Sequence, residues 1–159
     1  MSTFVIRPIR YTNHMRFSTW FWLADLILLG LILWLNSLAW QYFWYWRFDQ
    51  YGFDKLMHFL AGLFIGLTVT GIWIWWCHKK QCPFQKRELL AWIGLAILAI
   101  GGVWEILERG YQNHEFLYWI KPFALMSQGW FDSVTDFISD LLGGLAGASS
   151  FKLWNQTKN

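Results

Sequence analysis

Asp132, Asp136 and Asp140 recur every four residues within Phe131–Phe151, a stretch that otherwise reads as a membrane-spanning helix. Four residues advance an α-helix slightly past one turn, so the three carboxylates line one face and descend from one end of the helix. A charged carboxylate near the bilayer centre costs roughly 3 kcal/mol on insertion scales, and less towards the interface. A stripe of this kind is kept where it faces another helix, water, an ion or a substrate, and not lipid.

The rest of the chain fits a bilayer. Of 159 residues only 14% are charged, against about 25% in soluble domains. Crossing the hydrocarbon takes about 20 apolar helical residues. Four segments qualify: 17–46 (its last part an aromatic extension, Gln41–Trp46), 56–77, 89–108 and 131–151. The first run is too long for the 7–15 residues of a signal-peptide core and reads as an uncleaved helix. The expected fold is an all-α, polytopic four-transmembrane-helix bundle forming a single domain over residues 1–159. Tyr111–Trp130, aromatic and interrupted by Pro122, is expected to form an interfacial or re-entrant segment between helices three and four.

Nine of the thirteen Lys and Arg residues flank one side of these helices, including Arg7, Arg10, Arg16, Lys79, Lys80 and Lys86. The positive-inside rule therefore places both termini and the Cys77–Glu88 loop in the cytoplasm. The basic residues flank apolar runs and form no patch, which speaks against nucleic-acid binding. Two cysteines, Cys77 and Cys82, are too few for a disulfide framework.

The acids run the opposite way. Asp54 and His58 share a face at the outer end of helix two, Glu105 and Glu108 close helix three with Arg109 placed to pair, and the aspartates open helix four. Small residues let transmembrane helices approach closely. By helical geometry Gly62 continues the His58 face, Gly94 and Gly101 the Glu105 face, and Gly143 and Gly147 the aspartate face. Packing stripe and charged stripe thus coincide, so the charges are expected to converge.

His58, Glu105, Asp132 and Asp136 are the candidate ligands of a divalent metal, since carboxylate oxygens with an imidazole suit Mg²⁺, Mn²⁺, Zn²⁺ or Fe²⁺. His58, Glu105 and Asp136 are the candidates for proton transfer, supported by Asp54, Lys55, Glu108, Arg109 and Asp140. A proton or cation pathway is a second reading. A third is a polar network, bridged by Lys55 or Arg109, that only fixes helix register. Asp25 is expected to be solvated or paired with Arg16, Asn36 to bond another helix, and Ser133 and Thr135 carry no mark of an activated nucleophile.

Asp54-Lys55-Leu56-Met57-His58, Trp104-Glu105, Asp132-Ser133-Val134-Thr135-Asp136 and Gly143-Gly144-Leu145-Ala146-Gly147 together resemble the VanZ-like and YjdF-type bacterial inner-membrane proteins. The resemblance implies a polytopic inner-membrane protein and carries the family's polar positions onto Asp54, Lys55, His58, Glu105, Asp132 and Asp136. Asp140 stands where VanZ-like proteins often have Asn, closer to the YjdF-type pattern, so antibiotic resistance is not the expected role. The expected function is binding of a divalent metal or a polar headgroup by this cluster at the periplasmic face, as a metal-dependent hydrolase or transferase acting on a lipid or lipid-linked envelope substrate would require. A small proton-coupled transporter and a non-catalytic assembly subunit are the alternatives.

Overall fold

The computed structural model describes residues 19–48, 52–113 and 130–156, with side chains throughout except at 46, 108–113 and 151–156. These residues form α1 (Thr19–Gln41), the single turn α2 (Trp44–Arg47), α3 (Phe53–Lys80), α4 (Lys86–Asn113) and α5 (Trp130–Gln156). Thr19–Gln41, Phe53–Lys80 and Lys86–Leu107 are long and apolar enough to cross a membrane. At 27 residues, α5 is about 40 Å long, sufficient for a bilayer, but its aspartates, serines and glycines dilute its apolar content. Of the interfacial segment expected over 111–130, residues 111–113 continue α4 and Trp130 opens α5; the remainder lies outside the described residues.

The helix expected over 17–46 is interrupted. Phe43 takes a left-handed conformation (φ 56°) between α1 and α2. The side chains explain the reversal. Tyr45 donates its hydroxyl to Asn36 Oδ1 at 2.7 Å, and Trp44 and Tyr45 meet the Phe53 ring edge-on at 5.8 and 5.1 Å. Gly52 (φ 73°) then lets the chain turn into α3 without a Cβ clash. At the far end of α3, Lys79 and Lys80 lie over the rings of Trp75 and Trp76, at 5.1 and 5.3 Å.

The closest packing joins α3 to α5, and it is backbone against backbone. A Cβ on Gly62 would strike the Asp140 backbone, one on Gly66 the Gly144 backbone, and one on Gly143 the Phe59 carbonyl. A Cβ on Gly147 would come within 2.7 Å of the Leu63 carbonyl. Contact positions rise together along both helices, so α3 and α5 run parallel. α4 runs against them: Gly144 faces Ile97 and Ile93, whereas Gly101 faces Phe137 and the Asp140 carboxylate. Ile65, Leu89, Ile93 and Ile97 form the apolar core where the three helices meet. α1 lies outside this trio and buries only Phe21, Asp25 and Ala39.

Gly94 departs from expectation, having no neighbour within 4 Å of a Cβ. The α4 contact row runs Leu89, Ile93, Ile97, Gly101, Glu105, every fourth residue. Such a row drifts about 40° around the helix at each step, as i±4 ridges do. Gly94, one residue off the row, therefore faces away at its own height.

Candidate functional site

The first turns of α3 and α5 lie side by side because the two helices are parallel, and their polar residues meet there. Asp54, Lys55 and His58 come from α3, and Asp132, Asp136 and Asp140 from α5. The Lys55 ammonium stands among three carboxylates: Asp132 Oδ1 at 2.5 Å, Asp136 Oδ1 at 2.6 Å and Asp54 Oδ2 at 3.2 Å. One turn deeper, His58 Nδ1 faces Asp140 Oδ2 at 3.3 Å, and its Nε2 faces Asp136 Oδ1 at 3.7 Å. Asp136 thus connects the two levels. The lysine side chain is one-third exposed while the Asp136 side chain retains 3%, so the site opens at its Lys55 end and closes inward.

α4 supplies a separate pair. Ser133 donates its hydroxyl to Glu105 Oε2 at 2.5 Å, and both residues are buried. Among the described residues, the other Glu105 oxygen and Asp54 Oδ1 are buried without a hydrogen-bond partner. An unsatisfied buried acceptor is costly, so these two oxygens are the site's spare binding capacity.

The donor chemistry allows a metal ion. Asp54, His58 and Asp136 each offer one ligand atom, and those atoms lie within 4.8 Å of one another. Two carboxylates and an imidazole form a mixed oxygen and nitrogen set suited to a divalent transition metal or Mg²⁺.

A family model described as a predicted membrane protein matches residues 1–157. The chain belongs to the DUF2238 family of predicted membrane proteins. No curated protein and no solved structure matches it. For this DUF2238 chain the likeness establishes a membrane protein, and its chemistry has to be argued from the cluster itself.

Residue by residue, the cluster differs from the expected ligand set. His58 and Asp136 are adjacent, as the converging faces require. Asp54, expected as a supporting residue, joins them in the metal-competent triad. Asp132 is held by Lys55, and Glu105 is engaged by Ser133. Asp140 is the direct partner of His58. Glu108 and Arg109 belong to α4, but their side chains fall outside the described residues, as does all of His114 and Glu115.

Two features escaped the sequence reading. Ser133 sits one residue, hence about 100°, from Asp132, which turns it from α3 towards Glu105 on α4; that angular offset was the available signal. Asp25 is neither solvated nor ion-paired among the described residues. It is 4% exposed and accepts a hydrogen bond from Thr68 Oγ1 at 2.7 Å. Facing α3, it is sealed where solvent was expected.

Proposed function

We propose that the α3–α5 cluster binds a divalent cation just beneath one membrane surface and presents it to a lipid or lipid-linked envelope substrate. The observation that carries this reading is the approach of Asp54, His58 and Asp136 ligand atoms to within 4.8 Å. Charge supports it: four aspartates face one ammonium, leaving an anionic surplus even with His58 protonated, and a buried surplus calls for a cation. Three protein donors leave coordination positions open for water or substrate, as catalytic metal sites do. A bound ion would polarise a phosphoryl or carbonyl oxygen, and His58, ligating through one ring nitrogen, would keep the other on Asp140. Asp136 Oδ1 already accepts from Lys55, so the ion has to displace the ammonium or take the second oxygen.

In this reading α5 is the fourth span. Its parallel, backbone-close packing on α3 supports that, because a partner of a membrane-crossing helix in such contact is carried to the same depth. The distribution of basic residues supports an orientation with both termini in the cytoplasm and, in a bacterial inner membrane, the cluster on the periplasmic side. The whole chain is then one domain. The VanZ-like and YjdF-type resemblance agrees with this arrangement.

The test is elemental analysis with equilibrium dialysis of the purified protein against Zn²⁺, Mn²⁺ and Mg²⁺. One ion per chain is expected, lost in His58→Ala and in Asp136→Asn, with the double variant little worse than either because the ligands act as a unit. A second reading has its own support, since Lys55 already bridges three carboxylates: the cluster is then a register lock without a metal. Absence of binding, or binding indifferent to both substitutions, decides for the lock.

A further inference from the structure

Asp25 belongs to no part of the α3–α5 cluster. It lies on α1, six residues from the described start of that helix at Thr19. Phe21, one turn earlier, lies with Trp22 over Gly71 of α3, the ring atoms 2.9 Å from where a Cβ would be. This ring contact and the Thr68 bond are successive rungs of one antiparallel α1–α3 interface. The interface seals the carboxyl, which is 4% exposed, with Oδ2 bonded to Thr68 and Oδ1 buried without a partner among the described residues.

A sealed carboxyl with a spare oxygen has to be neutralised, and the possible agents can be tried in turn. A cationic residue of another chain is excluded, because Asp25 is covered by its own chain and does not face the lipid. A metal ion is excluded by donor number, since one carboxylate and one hydroxyl fall far short of a coordination sphere. An internal ion pair is absent among the described residues. Asp25 is the sole titratable residue of α1, and α1 contacts only α2 and α3 among the described elements. Along α3 the nearest titratable groups to Thr68 are Cys77 and His58, about 14 and 15 Å away by helical rise. Thr70, the other hydroxyl nearby, donates to the Gly66 carbonyl. Arg47, on α2, follows the far end of α1, about 24 Å from Asp25 along the helix axis. A proton remains.

We propose that Asp25 is a proton-binding site within the membrane: a neutral carboxylic acid held between α1 and α3 and separate from the α3–α5 cluster. With the proton on Oδ2, the 2.7 Å contact runs from the acid to the Thr68 hydroxyl, which rotates freely to accept it. Oδ1 is then a neutral carbonyl oxygen, far less costly to leave unpaired than half of a carboxylate. The ligand is a proton, and the chain holds it at a second polar station of the bundle.

Infrared difference spectroscopy on the full chain in phosphatidylethanolamine–phosphatidylglycerol vesicles at neutral pH reads this directly. Wild type minus Asp25→Asn is expected to show a protonated-carboxyl C=O stretch that the variant lacks, with the carboxylate region unchanged. Thr68→Val is expected to move that stretch to higher frequency by removing its hydrogen-bond partner, and serves where Asp25→Asn does not fold. A missing carboxylate stretch in Asp25→Asn, or an unaltered protonated-carboxyl region in Thr68→Val, overturns the assignment. Neither outcome depends on whether the α3–α5 cluster holds a metal.

Discussion

Lys55 Nζ and Asp136 Oδ1 stand 2.6 Å apart, and the same oxygen faces the imidazole of His58 at 3.7 Å. One carboxylate oxygen is thus shared between a fixed cation and a titratable ring. Whatever enters the cluster competes at this atom.

Replacing Lys55 with Met removes the cation from between Asp54, Asp132 and Asp136. Breaking a buried pair typically costs 3–5 kcal/mol; because Lys55 is one-third exposed, the expected loss is on the order of 2 kcal/mol after allowing for solvent screening. Thermal unfolding in detergent measures it. If the aspartates accept a divalent ion, Mn²⁺ or Zn²⁺ should restore much of the loss in Lys55→Met. A variant as stable as the wild type would show that the three contacts contribute little.

His58 and Asp140 are expected to be energetically coupled. Their 3.3 Å contact is buried on both sides, and contacting residues in one network usually show interaction energies of about 0.5–3 kcal/mol. A double-mutant cycle with His58→Ala and Asp140→Asn should return a value in that range. Strict additivity would mean that Asp140 answers Gly101 and α4 rather than the imidazole.

Gly147→Leu should be costly and Ala146→Leu tolerated. Any side chain at 147 meets the Leu63 carbonyl and the Leu67 amide, at 2.7 and 2.9 Å from a Cβ, and backbone cannot yield as a side-chain tip can. Overpacking typically costs about 1–3 kcal/mol, with these contacts favouring the upper end. Equal melting temperatures for the two variants would contradict a backbone-close α3–α5 interface.

Ser133→Ala leaves Glu105 with both oxygens buried and unpartnered among the described residues, since Oε1 already has no partner there. A loss of about 1–3 kcal/mol is expected. Ser133→Thr, which keeps the hydroxyl, should recover part of it. No change in unfolding midpoint for the alanine variant would place water, not Ser133, as the partner that matters.

Topology is open to labelling. In a background with Cys77 and Cys82 replaced by Ser, a membrane-impermeant maleimide should reach a cysteine at Gln112 from outside intact cells and spare one at Gln85. The reverse pattern would move the cluster to the cytoplasmic surface.

Much of the site can be read from the residues alone, because helical periodicity fixes which side chains share a face. The aspartate stripe on α5 and the Gly143–Gly147 spacing lie on one arc, and that coincidence alone implies that the stripe faces another helix. Which partner each acid takes is less legible. Lys55 reaching Asp132 and Asp136 while His58 reaches Asp140 depends on the axial offset between α3 and α5, and backbone contacts at Gly62 and Gly143 set that offset. Gly94 was misjudged because a contact row of every fourth residue drifts around a helix, which a single projected face ignores. Asp25 is covered rather than solvated, because distance from the end of a helix says nothing about whether a neighbour covers it; the Arg16 partner expected for it lies outside the described residues. The break at Phe43 comes from ring contacts to Phe53 and a bond to Asn36, interactions that hydropathy does not record.

The parallel pairing of α3 with α5 also has a meaning for biogenesis. α5 is the one long helix among the described residues that falls short of the apolar content of a membrane span, and it follows α3 in the chain, so the lysine and histidine that answer its aspartates are already embedded when it emerges. Inserted alone it should integrate poorly, and the preceding helices should rescue it, which glycosylation mapping of a chain carrying α5 with and without α3 can measure. The order in which the ribosome delivers the helices is then the order in which their charges become tolerable to the membrane.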